Sequence, residues 1–358
     1  MGKTHYIIPV FIPHRGCPFD CIFCNQKKIT GLDKDLTAEM IEEQINRYIK
    51  TIPQVNNKHV EIAFYGGSFT GIEVSKQSEL LSVAYNWKCK GNVKDIRVST
   101  RPDYINIPTM ELLKRYGVSI VELGVQSMSP DVLEKSGRGH TDIDVIKAAE
   151  MIKSYGVKLG LQMMLGLPGD TFDKDIMTAE ALIDMKPDFV RIYPTLVIKG
   201  TVLEKKYLCG QYSPLSLNGA IAIAKEVYLR FKKNNIPVIR IGLQPTEELM
   251  TGRDVVAGPF HPSFRYLVES EVAKDFLESA LAKNGVENTE EIIIKAHNRF
   301  ISNIVGHKKS NIQYLLNRFK LGKIKTITDD SLPDKTINIT YCKQQLTYDL
   351  FQYIHNAI

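Results

Sequence analysis

The sequence predicts an α/β protein: a partial (β/α)6-type barrel over residues 1–257, followed by a small C-terminal α/β region over 258–358. Three observations carry this. Short β-rich apolar runs alternate with amphipathic stretches. Glycine follows several of those stretches, as at Gly117 and Gly156, where a left-handed C-cap is wanted. Beyond Gly258 the alternation breaks. Strand, helix, strand, repeated, means parallel strands joined by right-handed crossovers. Six or seven such units suit an incomplete barrel better than a long flat sheet, and in such barrels function gathers at the C-terminal ends of the strands.

The strands expected in order are Tyr6–Ile12, Val60–Tyr65, Ile96–Thr100, Ile120–Val125, Val157–Leu165, Phe189–Tyr193 and Val238–Ile241. Helices are expected over Thr37–Ile49, with Thr37 as cap, then Lys76–Asn86, Thr109–Tyr116, Thr141–Tyr155, Thr171–Met185 and Leu215–Asn234. The C-terminal region reads as helix Phe264–Asn284, strand Ile292–Ala296, helix Ile301–Phe319 and strands Ile324–Thr328 and Ile337–Tyr341.

A chain of 358 residues with 44% hydrophobic content can bury a large core. No run of eighteen or more apolar residues exists, so no membrane span is expected. The N-terminal apolar stretch is cut by Pro9 and Pro13 and is too short for a signal-peptide core, so a cytoplasmic chain is expected. The net charge of +6 permits an acidic partner without demanding one. Cys17, Cys21 and Cys24 are clustered; Cys89, Cys209 and Cys342 are scattered. That is no disulfide framework. The scattered three read as ordinary thiols, and the clustered three suggest metal or catalysis.

The cluster, in RGCPFDCIFCNQ, has the spacing C-x3-C-x2-C directly after the first strand. Thiolates this close can converge on one inorganic cube from a single loop. A [4Fe–4S] cluster normally takes four cysteines; three leave one iron open to an outside molecule. A structural zinc site completed by His14 or a distant cysteine is the alternative. With this spacing the chain resembles the radical S-adenosylmethionine (radical SAM) enzymes. The resemblance implies that the open iron chelates the amino and carboxylate groups of S-adenosylmethionine. One electron, from a flavodoxin- or ferredoxin-type donor, then yields a 5′-deoxyadenosyl radical. Cofactor carries chemistry; protein orients it.

The same resemblance assigns residues at other strand ends. In AFYGGSFTG, Gly66 and Gly67 match the glycine motif whose backbone holds the methionine amino group, and Ser68 stands where many members have glutamate or threonine. In VSTRPDYI, Ser99, Thr100 and Arg101 can hydrogen-bond a carboxylate or ribose; a polar loop around Pro102 is the other reading. ELGVQSMSPDVLEKSGRGHT resembles a segment shared by the coproporphyrinogen-oxidase and Elongator branches, which implies that Gln126 and Arg138 contact S-adenosylmethionine, the arginine as a bidentate fork. A solvated charge beside a helix is the plainer account of Arg138. Gln162, in LQMMLGLPGDT, stands where relatives often have a ribose-binding aspartate, while Met163, Met164 and Leu165 are expected to fill the barrel.

RIYPTLVIKGTVLEKK, with STRPDY and ELGVQS, resembles the catalytic subunit of Elongator, which modifies wobble uridines of tRNA. Two departures matter: the short cysteine spacing, and a tail of about a hundred residues with no acetyl-CoA loop of the Q/R-x-x-G-x-G/A kind. The acetyl chemistry of that subunit is therefore not expected. From Phe300 to Lys325 no residue is acidic, while Lys308, Lys309, Arg318, Lys320, Lys323 and Lys325 are basic, with Tyr314 and Phe319 interleaved. That pattern fits a tRNA surface and equally a solvated amphipathic helix. In GPFHPSFRYLVES, His261 and Arg265 either approach substrate at the barrel mouth or sit in an ordinary loop. The functions expected are radical SAM tRNA modification, a radical SAM reaction on a small molecule, or a non-catalytic iron–sulfur RNA-binding protein.

Overall fold

The computed structural model describes residues 4–12, 21–24, 36–53, 58–243, 253–342 and 344–357. Seven parallel strands form one curled half-barrel sheet: β1 (His5–Ile12), β2 (His59–Gly66), β3 (Asp95–Thr100), β4 (Ile120–Gln126), β5 (Lys158–Leu165), β6 (Phe189–Pro194) and, after a short β7 (Val197–Ile198), β8 (Val238–Ile241). Each of the seven lies where the alternation of apolar runs places it. The order β1-β2-β3-β4-β5-β6-β8 does not close on itself, so the barrel is open.

Helices follow the strands: α1 (Ala38–Thr51), α2 (Val74–Cys89), α3 (Ile107–Arg115), α4 (Pro130–Lys135), α5 (Asp142–Ser154), α6 (Phe172–Asp184), α7 (Val202–Leu208) and α8 (Leu217–Lys233). Hydroxyl caps start several of them. The Thr37 side chain accepts from Met40 N, Thr171 from Lys174 N, and Thr141 forms a reciprocal capping box with Asp144.

The sheet has two chemically distinct faces. Ile62, Phe64, Val98, Leu123, Leu159, Leu161, Met163, Val190 and Ile192 are buried in the hydrophobic core with the helices. Met163 and Leu165 thus lie in that core, with Met164 on the opposite face of β5. The register places Glu61, Asp95, Arg97, Ser99, Glu122, Gln162 and Arg191 together on the opposite, concave face. A strand that alternates apolar and charged residues can only do so if its second face is polar.

The C-terminal region adds a four-stranded sheet of order β11-β10-β12-β13: β10 (Glu291–Ala296), β11 (Lys323–Thr328), β12 (Thr336–Tyr341) and β13 (Gln344–Asp349). A two-residue pairing joins β7 to β9 (Val255–Ala257). Helix α9 (Phe264–Lys283) packs on α8, and residues of both regions share one hydrophobic core. The helix expected over Ile301–Phe319 is two: α10 (Asn298–Val305) and α11 (Ser310–Phe319). Gly306 at φ 75° ends the first, and Lys308 and Lys309, at φ 51° and 63°, turn the chain between them. A final helix, α12 (Leu350–Ala357), closes the described chain.

Candidate functional site

Of the expected site residues, Cys21, Gly66, Gly67, Ser68, Thr100, Gln126 and Arg138 gather at the C-terminal ends of the strands. Cys17 lies outside the described residues. Cys21 is buried and Cys24 half-buried, and Cys24 N donates to Cys21 O at 2.9 Å. Two backbone bonds fix this segment: Ile22 N to Ser136 O at 3.2 Å, and Leu203 N to Ile22 O at 2.7 Å. It is thereby held between the loop after α4 and the start of α7.

That loop carries Arg138 back over the strand ends. Arg138 Nη1 donates to Cys21 Sγ at 3.2 Å, and Nη2 to the carbonyl of Gly124. Only 6% of the residue is exposed, so it is no solvated charge beside a helix. Arg101 reinforces it. Its fork grips Asp103 at 2.9 and 3.0 Å, Nη2 also donates to the Arg138 carbonyl, and Nη1 stands 4.0 Å from Cys21 Sγ. Two guanidinium charges beside one sulfur suit a ligand sulfur that carries negative charge.

Gln126 ends β4 at a register shift, with φ 73°, a left-handed conformation rare for a side-chain-bearing residue. Its buried Oε1 has no hydrogen-bond partner among the described residues. A Cβ on Gly124 would meet Gln126 Nε2 at 2.9 Å, Arg138 Nη2 at 3.4 Å and Thr100 O at 3.7 Å. Those three groups therefore converge around a position that only glycine leaves open. Gly66, at φ 104°, has the same constraint: a Cβ there would lie 2.6 Å from Ile12 O. Gly67 N donates to the same carbonyl at 3.3 Å.

Ser68 and Thr100 turn their hydroxyls toward each other at 2.9 Å, and Thr70 joins Thr100 at 2.5 Å. Ser68 Oγ also accepts from Arg101 N at 3.2 Å, so this buried trio is wired to the arginine beside Cys21. Ser99 and Gln162 point elsewhere. Both donate to Glu122 Oε2, at 3.4 and 3.0 Å, on the concave face.

Glu122 is the centre of a charge ladder that the sequence reading missed. It is fully buried and takes Arg97 on one side and Arg191 Nη2 on the other, the latter at 2.9 Å. Arg97 Nη2 continues to Glu61 Oε2 at 2.9 Å, and Arg191 to Tyr65 OH at 3.0 Å. Burial alone would ease the proton off either arginine. Glu122, joined by Glu61 at Arg97 and by the Tyr193 and Tyr65 phenols at Arg191, outweighs it and holds both guanidiniums more firmly protonated than usual. Burial pushes the Tyr65 phenol up. Gly160 leaves room for the ladder, since a Cβ there would strike the Phe189 ring and Glu122 Cγ. The available signal was a charge inside an otherwise apolar strand: Arg97 in DIRVST, Glu122 in IVELGV and Arg191 in FVRIY.

His140, also missed, lies behind the arginines. Burial first, then the Arg138 and Arg101 charges, push its pKa down to about 3, so it is neutral and Nε2 donates to Val125 O at 3.2 Å. At the end of β5, burial and the neighbouring Asp170 raise Asp175 to about 9. Asp170 lines a cleft of about 460 Å³, and Tyr212, in the same wall, donates to Gly166 O at 2.7 Å. In the tail, Arg318 pairs with Glu278, Lys323 with Glu291, and Phe319 is buried. The His261 ring packs edge-on against His307 at 5.7 Å, and Arg265 pairs with Glu269.

Residues 11–182 match the Radical SAM superfamily and residues 187–274 the Radical_SAM C-terminal domain. An uncharacterized protein of Methanocaldococcus jannaschii is 33% identical over 217 residues, covering 58% of this chain and 66% of that one. A tRNA uridine(34) acetyltransferase of the same organism is 34% identical over 159 residues, 44% of this chain and 29% of that enzyme. The chain thus spans from under a third to about two thirds of these relatives' lengths. The solved structure of an archaeal Elp3 from Methanocaldococcus infernus, 22% identical, superposes with a TM-score of 0.57 over 81% of this chain and 66% of that one. The chain belongs to the radical SAM superfamily, as an enzyme of that class resembling its Elongator catalytic-subunit branch.

Proposed function

We propose that this enzyme binds a [4Fe–4S] cluster through Cys17, Cys21 and Cys24, cleaves S-adenosylmethionine reductively, and acts in tRNA modification. The observation that carries the reading is the buried Arg138 guanidinium 3.2 Å from Cys21 Sγ, beside a Gln126 Oε1 with no partner among the described residues. A buried acceptor without a donor is costly and suits a ligand that supplies one. The residues fit both groups: a sulfur flanked by two cations for the cluster, and an arginine fork, an amide and the Gly66–Gly67 backbone for an amino acid moiety. The bound cluster supplies the electron, delivered by a flavodoxin- or ferredoxin-type donor. This chain's part is to hold and orient. Arg138 takes the carboxylate, and Gln126 and the Ser68–Thr100 pair bind polar atoms of the cofactor; Ser99 and Gln162, which donate to Glu122, are given no cofactor contact. Neutral His140 backs Arg138 without competing for its charge.

The relatives named for tRNA uridine(34) support RNA as the substrate. The acetyl transfer of those longer enzymes is not part of the proposal. A small molecule is the second reading. It is favoured by the tail, where Arg318 and Lys323 are already matched to glutamates.

The test is anaerobic reconstitution. Wild type should hold one cluster per chain and form 5′-deoxyadenosine when reduced. Cys21→Ala should lose both, while Cys89→Ala should keep them. Arg138→Ala should keep the cluster but bind S-adenosylmethionine more weakly by about 1.5–3 kcal/mol, the worth of a charge-assisted contact. Zinc in place of iron would overturn the cluster; unchanged cofactor binding would overturn the role of Arg138. Mass spectrometry of tRNA from cells with and without the gene separates the two substrates.

A further inference from the structure

At the opposite, N-terminal mouth of the half-barrel, three neighbouring strands bring together side chains that the radical SAM site does not use. His5 and His59 are register partners on β1 and β2, their rings edge-on at 4.8 Å. Glu61 lies two residues beyond His59 on the same face, and Asp95 is its register partner on β3. One ligand atom from each of His5, His59 and Glu61 lies within 4.8 Å of the other two. His5 Nε2 stands 3.3 Å from Glu61 Oε2. Ligands sharing one tetrahedral zinc ion, at bonds of about 2.0–2.1 Å, sit about 3.3–3.4 Å apart. One edge of the polyhedron is therefore already formed.

We propose that His5, His59 and Glu61 bind a divalent transition metal ion of the zinc class, with solvent completing the coordination. Two imidazoles and a carboxylate are a donor set suited to such an ion. Asp95 Oδ2 engages His59 Nε2 at 2.9 Å, as carboxylates commonly do behind metal-binding histidines; this orients the ring and leaves Nδ1 for the ion. Glu61 is 1% exposed and cannot swing away, whereas His5 is half exposed and can close the remaining distance. Arg97 engages both Glu61 oxygens, Nη2 on Oε2 at 2.9 Å, but shares its charge with Glu122, and Oε2 has a further lone pair for the ion. Asp95 adds a second negative charge beside the site. The ion would fasten the start of β1 to β2, and β1 is the strand that runs into the cysteine segment. Metal that binds only the folded chain would raise its stability by mass action.

The experiment uses cluster-loaded protein, so that the cysteines are occupied, dialysed against zinc under argon. Wild type should retain one zinc per chain, with a zinc absorption edge showing nitrogen and oxygen ligands only, and should melt at higher temperature than the chelator-treated protein. His5→Gln and His59→Gln should each weaken zinc at least about tenfold, and Asp95→Asn about 10–100-fold, the usual cost of losing the carboxylate behind a metal-bound histidine. All three should keep the iron content and 5′-deoxyadenosine formation of wild type. The proposal is overturned if wild type retains no zinc, if the zinc is bound by sulfur, or if His59→Gln binds it as tightly as wild type.

Discussion

The concave face of the half-barrel and the basic C-terminal run both carry many charges, but they hold them differently. Inside the half-barrel, Glu61, Arg97, Glu122 and Arg191 alternate in sign across β2, β3, β4 and β6, and each is at most 9% exposed. On the tail, Arg318 is 52% exposed beside Glu278. A buried charge is tolerated only when its neighbours satisfy it, so its place is dictated by the fold. An exposed charge costs little wherever it lies, so its place says little. The first kind of residue reports on architecture and site; the second needs a binding experiment before it reports on anything.

The largest expected effect tests that contrast directly. Glu122→Gln keeps the size of the side chain but leaves Arg97 and Arg191 facing each other without their shared anion. Loss of one partner from a buried ionic group should destabilise the fold by about 3–5 kcal/mol. Glu278→Gln removes the partner of exposed Arg318 and should cost about 0–1 kcal/mol. Denaturant unfolding of both variants gives the comparison, and similar losses would show that the ladder is no more than a surface ion pair in energetic terms.

The carboxyl pair at the end of β5 should have a smaller effect, visible mainly in its pH dependence. Asp175 is buried at the first turn of α6, and burial together with Asp170 raises its pKa to about 9 from an ordinary 3.8. At low pH the folded and unfolded chains both carry the proton. As pH rises from about 4 towards 9, the unfolded chain releases it while the folded chain keeps it, so stability falls through that window. Asp175→Asn cannot release a proton in either state. Its stability should therefore decline less steeply than wild type over the same range, and parallel pH profiles would show that Asp175 ionises normally in the fold.

The same distinction explains what could be read from sequence. The seven parallel strands were legible because each is a short apolar run bounded by turn residues, and parallel strands buried by helices must be so. The cysteine spacing and Arg138 were legible through a local motif. The Glu122 ladder was not read, because its members are about 25 to 70 residues apart and meet only through strand register; each alone is one charged letter in a strand. The break between α10 and α11 was signalled in the sequence only by Gly306, which ends α10 at φ 75°; Lys308 and Lys309, though left-handed, add no glycine-like signature. β13, in QQLTYD, was missed because its exposed pattern has almost no apolar alternation. The grouping of Cys17 with Cys21 and Cys24 rests on the motif.

The smallest expected effect concerns the part of the tail that remains open to a partner. Arg318 and Lys323 already have glutamates, but Lys308 and Lys309 have no ion pair among the described residues and lie in a strained, left-handed turn beside His307. If that turn meets tRNA phosphates, each contact releases counterions and steepens the salt dependence by about 0.7 per phosphate on a single strand. Reversing Lys308 and Lys309 together to glutamate should then weaken tRNA binding and flatten its dependence on salt. Cluster content and 5′-deoxyadenosine formation should not change, because those belong to the strand ends of the half-barrel. A small-molecule enzyme would show no such separation: tRNA would bind weakly to both proteins with the same salt slope. Identical curves would place Lys308 and Lys309 with the ordinary exposed charges of Arg318 and Lys323.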